Sequence, residues 1–192
     1  MKCSPDPIVT IQKALPCDLE HILAIEQESF SLPWSRKSFE VELGNNEFSL
    51  VLTARMCQNV PMGVDSIRGY VCAWVVFDEV RFMTLAVAHP YRRQGIGMRL
   101  VVQALREGLA RRATRALLEV RASNHAAQAL YHQIGFHSYG TRTHYYTNPE
   151  EDAMLMTLDP LMLPASETQS KLRVRLSDVV PTCLSSDLST QK

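Results

Sequence analysis

The sequence carries no excess of charge of either sign. Lys and Arg together number 20 and Asp and Glu together number 20, so the formal net charge at pH 7 is +0. Proteins that bind nucleic acid or membrane surfaces non-specifically need a strong basic field, which this balance excludes. We therefore expect no direct contact with nucleic acid or membrane, and any anion must be bound at a local site.

Long apolar runs and paired cysteines are also missing. No stretch approaches the roughly 18 apolar residues of a membrane-spanning helix, and the first residues contain no apolar signal-peptide segment. The five cysteines, at positions 3, 17, 57, 72 and 183, form an odd number without a C-x-x-C pair or zinc-ligand spacing. We expect a cytoplasmic protein without a metal, in which His125 and His132 are an exposed pair, and we favour a monomer.

What is present predicts one domain with a mixed sheet. The 192 residues suffice for one sizeable core. Apolar periodicity predicts helices after Asp18 and Ser35, from Gly97 to about Arg112, and from Asn124 to Ile134. Runs of β-branched and aromatic residues predict strands at 8–11, 48–54, 69–77, 80–87, 116–120 and 153–158, and again from residue 136.

This order of elements is typical of an α/β or α+β domain. The strands at 48–54, 69–77 and 80–87 are expected to form an antiparallel meander within one central sheet flanked by helices. The domain should span residues 8–160. Ser, Thr, Asp and Lys dominate the remainder, so residues 161–192 are expected to form a flexible tail.

A glycine-containing segment, RRQGIG at residues 92–97, joins a predicted strand to a predicted helix. Unpaired backbone N–H groups and a positive partial charge let a helix N-terminus bind phosphate, and Gly95 and Gly97 allow close approach. A dinucleotide fingerprint would need a third glycine where Leu100 stands, and a nucleoside-triphosphate loop would need Gly-Lys-Ser/Thr. A strand-to-helix turn without a ligand is the remaining alternative.

A second group of residues surrounds the predicted strand 116–120 and the helix after it. Glu119 lies in an apolar strand, where a carboxylate is costly unless it has a partner or lines a cavity. Asn124 is a good N-cap, and Tyr131 lies two turns along the same helical face. The alternatives are an ion pair between Glu119 and Arg121 and a core role for Tyr131.

These two groups together resemble the GNAT superfamily of acetyltransferases. Arg92, Gly95 and Gly97 match its pyrophosphate signature, and LEVRASN at residues 118–124, with ALY at 129–131 and GF at 135–136, is similar to the RimI family of alanine N-acetyltransferases. ESF at 28–30, PWS at 33–35, YY at 145–146 and EDAMLM at 151–156 extend this similarity. It covers about residues 8 to 160.

The resemblance implies that acetyl-coenzyme A is the co-substrate and that the N-terminal alanine of small-subunit ribosomal protein eighteen is the acceptor. It assigns Glu119 as the proton acceptor and Tyr131 as the proton donor. A peptide α-amino group has a pKa near 7.7–8.0, so a glutamate can take its proton through a water. The implied coenzyme-A ligands are Leu85, Ala86, Val87, Arg92, Arg93, Gln94, Gly95, Ile96, Gly97, Met98 and Asn124.

Two alternatives stay open for the function. The acceptor can instead be a lysine side chain or a small amine, because the segment before Tyr145 differs from the family pattern. A non-catalytic coenzyme-A-binding module would also need the loop, but not Glu119 together with Tyr131.

In the acetyl transfer, a backbone N–H of the strand containing Leu85 to Val87 is expected to stabilise the oxyanion of the intermediate.

Overall fold

The computed structural model describes residues 8–44, 46–57 and 67–163. Within these residues seven strands form one mixed sheet in the order β1-β2-β3-β4-β5-β7-β6, in which only the β4–β5 pair is parallel. The strands are β1 Ile8–Lys13, β2 Ser49–Cys57, β3 Ile67–Val76, β4 Glu79–Val87, β5 Arg115–Arg121, β6 His137–Thr147 and β7 Glu150–Leu158. The helices are α1 Leu19–Ser29, α2 Arg36–Leu43, α3 Ile96–Ala110 and α4 His125–Ile134.

The expected mixed sheet flanked by helices is confirmed, and so is the antiparallel meander β2-β3-β4. Each face of the sheet has its own apolar core. Side chains of α3 and α4 pack on one face, where Leu100 and Leu105 are fully buried. Those of α1 and α2 pack on the other face, where Ile22, Phe39 and Tyr70 are fully buried.

Local capping signals explain three of the helix ends. The Ser35 hydroxyl accepts the N–H of Ser38 at the start of α2, and the Asn124 side chain accepts the N–H of Ala127 at the start of α4. Gly135 ends α4 with a φ of 112°, a left-handed conformation that glycine adopts without strain. The predicted start of α2 after Ser35, the cap at Asn124 and the end of α4 at Ile134 are therefore confirmed.

Asp18 occupies the predicted position before α1, but its side chain does not cap that helix. The carboxylate instead accepts the N–H of Leu15 at 2.8 Å and pairs with the guanidinium of Arg55 on β2. An unpaired buried carboxylate costs more free energy than an uncapped helix end. The Asp18 side chain therefore pairs with Arg55 instead of capping α1.

The predicted tail begins at residue 161. Leu161 is buried in the α3/α4 core, and its N–H donates to the carbonyl of Thr114. Residues 164–192 lie outside the described residues.

Candidate active site

A gap between β4 and β5 dominates the centre of the sheet. The two strands pair only from Glu79–Phe82 to Arg115–Leu118. Beyond this ladder β4 stays paired with β3 as far as Val87, and β5 stays paired with β7 as far as Arg121. A register shift at Cys72/Ala73 on β3 leaves Met83 without a partner there and coincides with the divergence. The facing edges of β4 and β5 therefore present unpaired backbone groups to any extended chain that enters the gap.

The predicted ligands Leu85, Ala86 and Val87 lie on the β4 edge of this gap. Ala86 is buried in the α1/α2 core, whereas Leu85 and Val87 pack against the α3/α4 core. The side chains of these three residues therefore pack in the two cores and do not face a ligand in the gap. The N–H and C=O groups of this segment are what a bound amide chain would contact.

The glycine loop leads directly from this edge into α3. Gly95 is the residue before the helix, with a φ of 78°, and a Cβ there would meet no atom within 4 Å. The Arg99 N–H is bonded to the carbonyl of Gly95, so the preceding N–H groups of Ile96, Gly97 and Met98 have no intrahelical acceptor. This helix end fits a phosphate group, because it offers free N–H donors, a positive dipole and open space.

The side chains of the loop stabilise its shape. Arg92 donates from Nε to the carbonyl of Val87 at 2.9 Å and from Nη2 to the hydroxyl of Ser29 at 3.3 Å. Gln94 donates to the carbonyl of Pro90 at 3.1 Å, whereas Arg93 is exposed with a φ of 64°. The loop therefore leaves mainly backbone N–H groups and Arg93 for an anion.

Gly97 also has a packing role that its spacing did not predict. A Cβ at this position would lie 3.0 Å from Cδ1 of Leu130 on α4 and 3.8 Å from Cγ2 of Val87. Gly97 thus allows α3 to approach α4 and β4 closely. The open space in front of the helix belongs to Gly95.

Glu119 lies on β5 just beyond the last β4–β5 pair, and its side chain is 32% exposed. Its Oε1 accepts a hydrogen bond from Nη1 of Arg142 at 2.8 Å, and it also accepts one from the Tyr145 hydroxyl. The alternative ion pair with Arg121 does not form. Arg121 instead contacts Glu151 at 3.1 Å and lies over the ring of Tyr146, 4.1 Å from its centroid.

Tyr131 lies on α4 and belongs to the α3/α4 core, on the opposite face of the sheet from Glu119. Its ring is buried and meets Phe136 at a centroid distance of 5.7 Å. Burial, together with nearby Tyr146, raises the pKa of the Tyr131 phenol. Within the described residues its hydroxyl has no hydrogen-bond partner, so the alternative of a core tyrosine bonded to a backbone carbonyl finds no such acceptor there. Asn124, two turns away, uses its side-chain oxygen for the helix cap and keeps its amide N–H groups.

Glu119 and Tyr131 approach the gap from opposite faces of the sheet. Leu118 and Val120 belong to the α3/α4 core, so Glu119 between them faces the α1/α2 side. Tyr131 belongs to the α3/α4 core itself. The gap therefore has a carboxylate on one face and a phenol on the other.

A bulge in β6 brings two further tyrosines to this place. Arg142 pairs with Ala153 and Tyr146 with Glu151, so three residues of β6 lie opposite one residue of β7. His144 has a φ of 52°, and its N–H donates to Asp152 Oδ1 at 2.9 Å. Such a bulge redirects the side chains that follow it.

Tyr145 and Tyr146 consequently lie side by side, with ring centroids 5.1 Å apart. The hydrogen bond to Glu119 raises the pKa of Tyr145. Burial, followed by the proximity of Tyr145 and Glu119, raises the pKa of Tyr146 to about 12. Tyr146 therefore lies close to both Glu119 and Tyr131, and the bulge completes one site. The tyrosine pair was predictable from the sequence, whereas Arg142 was not, because no local pattern indicates it.

The described residues contain no cluster of three or more His, Cys, Asp or Glu that could bind a metal ion. None of their helices has the length and apolarity needed to cross a bilayer. Two cysteine side chains are described, the exposed Cys17 and the buried Cys72, and both are free thiols.

Comparison with known proteins gives consistent matches. Residues 19–136 match the model of the acetyltransferase (GNAT) family. The [ribosomal protein bS18]-alanine N-acetyltransferase of Escherichia coli K12 is 38% identical over 152 residues, which cover 78% of this chain and 96% of that protein.

Solved structures agree. The crystal structure of the Escherichia coli ribosomal-protein-S18-alanine N-acetyltransferase superposes with a TM-score of 0.70 at 34% identity, covering 83% of this chain and 98% of the other. Arabidopsis thaliana NAA60 in complex with acetyl-CoA superposes with a TM-score of 0.72 at 19% identity, covering 79% and 99%, and shares the fold.

Proposed function

Because the chain belongs to the acetyltransferase (GNAT) family, we propose that it transfers the acetyl group of acetyl-coenzyme A to the N-terminal alanine of small-subunit ribosomal protein eighteen. The observation that carries the chemistry is the β4–β5 gap, with Glu119 on one face and Tyr131 on the other. The choice of acceptor is supported by the relatives named for this reaction, which match over nearly their whole length.

Acetyl-coenzyme A fits the gap and the loop in front of it. The amide groups of its pantetheine arm can pair with the free edge of β4 between Leu85 and Val87. Its pyrophosphate can accept hydrogen bonds from the N–H groups of Ile96, Gly97 and Met98, with Arg93 and the amide of Asn124 as further donors. The thioester is then held between Glu119 and Tyr131, which is where the acyl transfer has to take place.

Glu119 acts as the proton acceptor in this proposal. As the amine nitrogen forms its bond to the thioester carbon, it must lose a proton, and the carboxylate takes this proton directly or through a water. Arg142 and the Tyr145 hydroxyl hold the carboxylate in place. Backbone N–H groups of β4 stabilise the negative charge that develops on the carbonyl oxygen.

Tyr131 protonates the leaving sulfur when the carbon–sulfur bond breaks. Its raised pKa keeps the phenol fully protonated at neutral pH, so the donor is always in the required form. The same rise makes complete transfer to a thiolate less favourable than in water. We therefore assign Tyr131 first as a hydrogen-bond donor to the sulfur, with the proton passing as the bond breaks. Because the proposed acceptor is a ribosomal protein, we also propose that the reaction takes place in the cytoplasm.

The test compares the acceptors directly. The purified enzyme receives acetyl-coenzyme A and one of three acceptors: a peptide with the N-terminal residues of the ribosomal protein, the same peptide with a blocked N-terminus and an internal lysine, or a panel of small amines. Mass spectrometry should find acetyl groups only on the free N-terminal alanine. Equal acetylation of the blocked peptide or of a small amine would replace this acceptor with the alternative one.

A Glu119→Gln variant tests the chemistry. General-base catalysis is worth about 10²–10⁴ in rate, so turnover should fall at least ~100-fold while acetyl-coenzyme-A affinity remains within about twofold. Glu20→Gln is the matched control, because Glu20 forms an exposed pair with Arg36 and contacts none of the residues proposed for catalysis. Full turnover by the Glu119 variant would remove Glu119 from the mechanism.

A further inference from the structure

A carboxylate that the proposed mechanism does not use is buried between α1 and the sheet. Glu26 of α1 is only 1% exposed. It accepts the N–H of Trp34 at 2.9 Å, the hydroxyl of Tyr70 on β3, and the hydroxyl of Thr84 on β4 at 3.5 Å. A buried carboxylate that meets only donors is suited to the ionised state, although burial raises its pKa.

These partners determine which way the hydroxyl of Thr84 points. The hydroxyl proton of Tyr70 is donated to Glu26, so Tyr70 has none left for Thr84. Thr84 has one hydroxyl proton, which it can donate either to the Tyr70 oxygen at 3.3 Å or to Glu26 at 3.5 Å. In both cases the proton faces the cluster. The lone pairs of Thr84 remain available to a donor from outside.

Thr84 lies at the point where β4 leaves the ladder with β5, on the side of the gap that Glu119 faces. It follows Met83, the residue at which β4 leaves the regular ladder, and it is only partly buried. Its bonds to α1 place it on the α1/α2 face of the sheet, the face toward which Glu119 also points from β5. The hydroxyl and the carboxylate therefore flank the same opening from its two strands.

We propose that Thr84 accepts a hydrogen bond from the N–H of the incoming amine, with Glu26 and Tyr70 as positioning residues that keep its lone pairs directed at the gap. This inference rests on the proposed function, since it concerns the acceptor side of that reaction. Thr84 orients the nitrogen for attack, whereas Glu119 takes its proton. The contact between Glu26 and Thr84 was not predictable from a local pattern, because the two residues are 58 positions apart.

The first test replaces the hydroxyl with a methyl group. Thr84→Val should lower kcat/KM for the peptide by about tenfold, the effect of one lost hydrogen bond, and leave the KM for acetyl-coenzyme A within about twofold. Thr84→Ser keeps the hydroxyl and should restore at least half of the activity. Thr53→Val is the matched control, because the buried hydroxyl of Thr53 makes no hydrogen bond within the described residues.

A double-mutant cycle tests the positioning role. Glu26→Gln should also lower the peptide kcat/KM, and combining it with Thr84→Val should lower it little further, since Glu26 acts through the hydroxyl that is already missing. Effects that multiply would remove Glu26 from this role. Peptide kinetics of Thr84→Val equal to the wild type, or an equal loss toward acetyl-coenzyme A, would overturn the assignment of Thr84.

The two proposals fail in different ways. If Glu119→Gln loses turnover and Thr84→Val does not, only the present inference is wrong. If neither variant changes turnover, the proposed mechanism is wrong as well. Thr84→Ser keeps the test valid even if Thr84→Val unfolds, because an inactive Ser variant with a wild-type unfolding midpoint also contradicts the inference.

Discussion

Replacing Tyr131 with Phe removes one oxygen atom from the candidate site and little else. The ring is buried beside Phe136, and this packing is kept by phenylalanine. Since the hydroxyl has no partner within the described residues, its loss breaks no hydrogen bond there. We expect the free energy of unfolding to change by no more than about 0.5 kcal/mol.

Turnover should respond very differently. Loss of a general acid costs about 10²–10⁴ in rate, which corresponds to about 2.7–5.4 kcal/mol in activation free energy. The change should appear in kcat, because the phenol contacts the leaving sulfur only as the carbon–sulfur bond breaks. A fall of at least ~100-fold in kcat at constant acetyl-coenzyme-A affinity is therefore the expected outcome.

The assay measures release of the coenzyme-A thiol with a thiol reagent, under saturating peptide and donor, alongside urea unfolding of the same preparations. Tyr139→Phe is the matched control, because Tyr139 on β6 is 56% exposed. A Tyr131→Phe enzyme that keeps kcat within about threefold of the wild type would refute the role of the phenol. A loss of turnover matched by a large loss of stability would refute the statement that the hydroxyl is structurally dispensable.

Two further predictions follow from contacts around the site. Gly97→Ala places a Cβ 3.0 Å from Cδ1 of Leu130, and the higher helix propensity of alanine offsets this strain, so the free energy of unfolding should change by less than about 1 kcal/mol while the shifted helix end raises the KM for acetyl-coenzyme A several-fold. Adding Leu130→Ala should restore the KM, and no recovery would show that the clash is not the cause. Burial raises the pKa of Glu26 above its ordinary 4.5, so the native state retains this proton to higher pH than the unfolded chain. The wild type should therefore lose unfolding free energy relative to Glu26→Gln as the pH rises above about 4.5, and an unchanged difference between pH 5 and pH 8 would contradict the raised pKa.

Local signals were sufficient where the structure depends on neighbouring residues. Gly95 and Gly135 have positive φ, Asn124 caps α4, and the apolar face of α3 is buried as its spacing predicted. Each of these features is determined within about one helical turn, which is the range that sequence patterns describe. The position of the glycine loop between a strand and a helix was predictable for the same reason.

The partners of the site residues depend on distant segments and were not predictable in the same way. Glu119 pairs with Arg142, 23 residues later, rather than with Arg121, which shares its strand. That choice follows from the register of β6 and its bulge, which no propensity indicates. The role of Gly97 likewise depends on Leu130 of another helix.

The gap between β4 and β5 also divides the sheet mechanically. β1 to β4 form one continuous antiparallel unit and β5 to β7 form another, and the ladder that joins them covers four residue pairs. A chain bound along the free edges supplies the hydrogen bonds that a complete strand pair would have made. A donor that pairs with the free edge of β4, as proposed, adds its hydrogen bonds to the half of the sheet formed by β1 to β4, and these bonds are lost each time the product leaves.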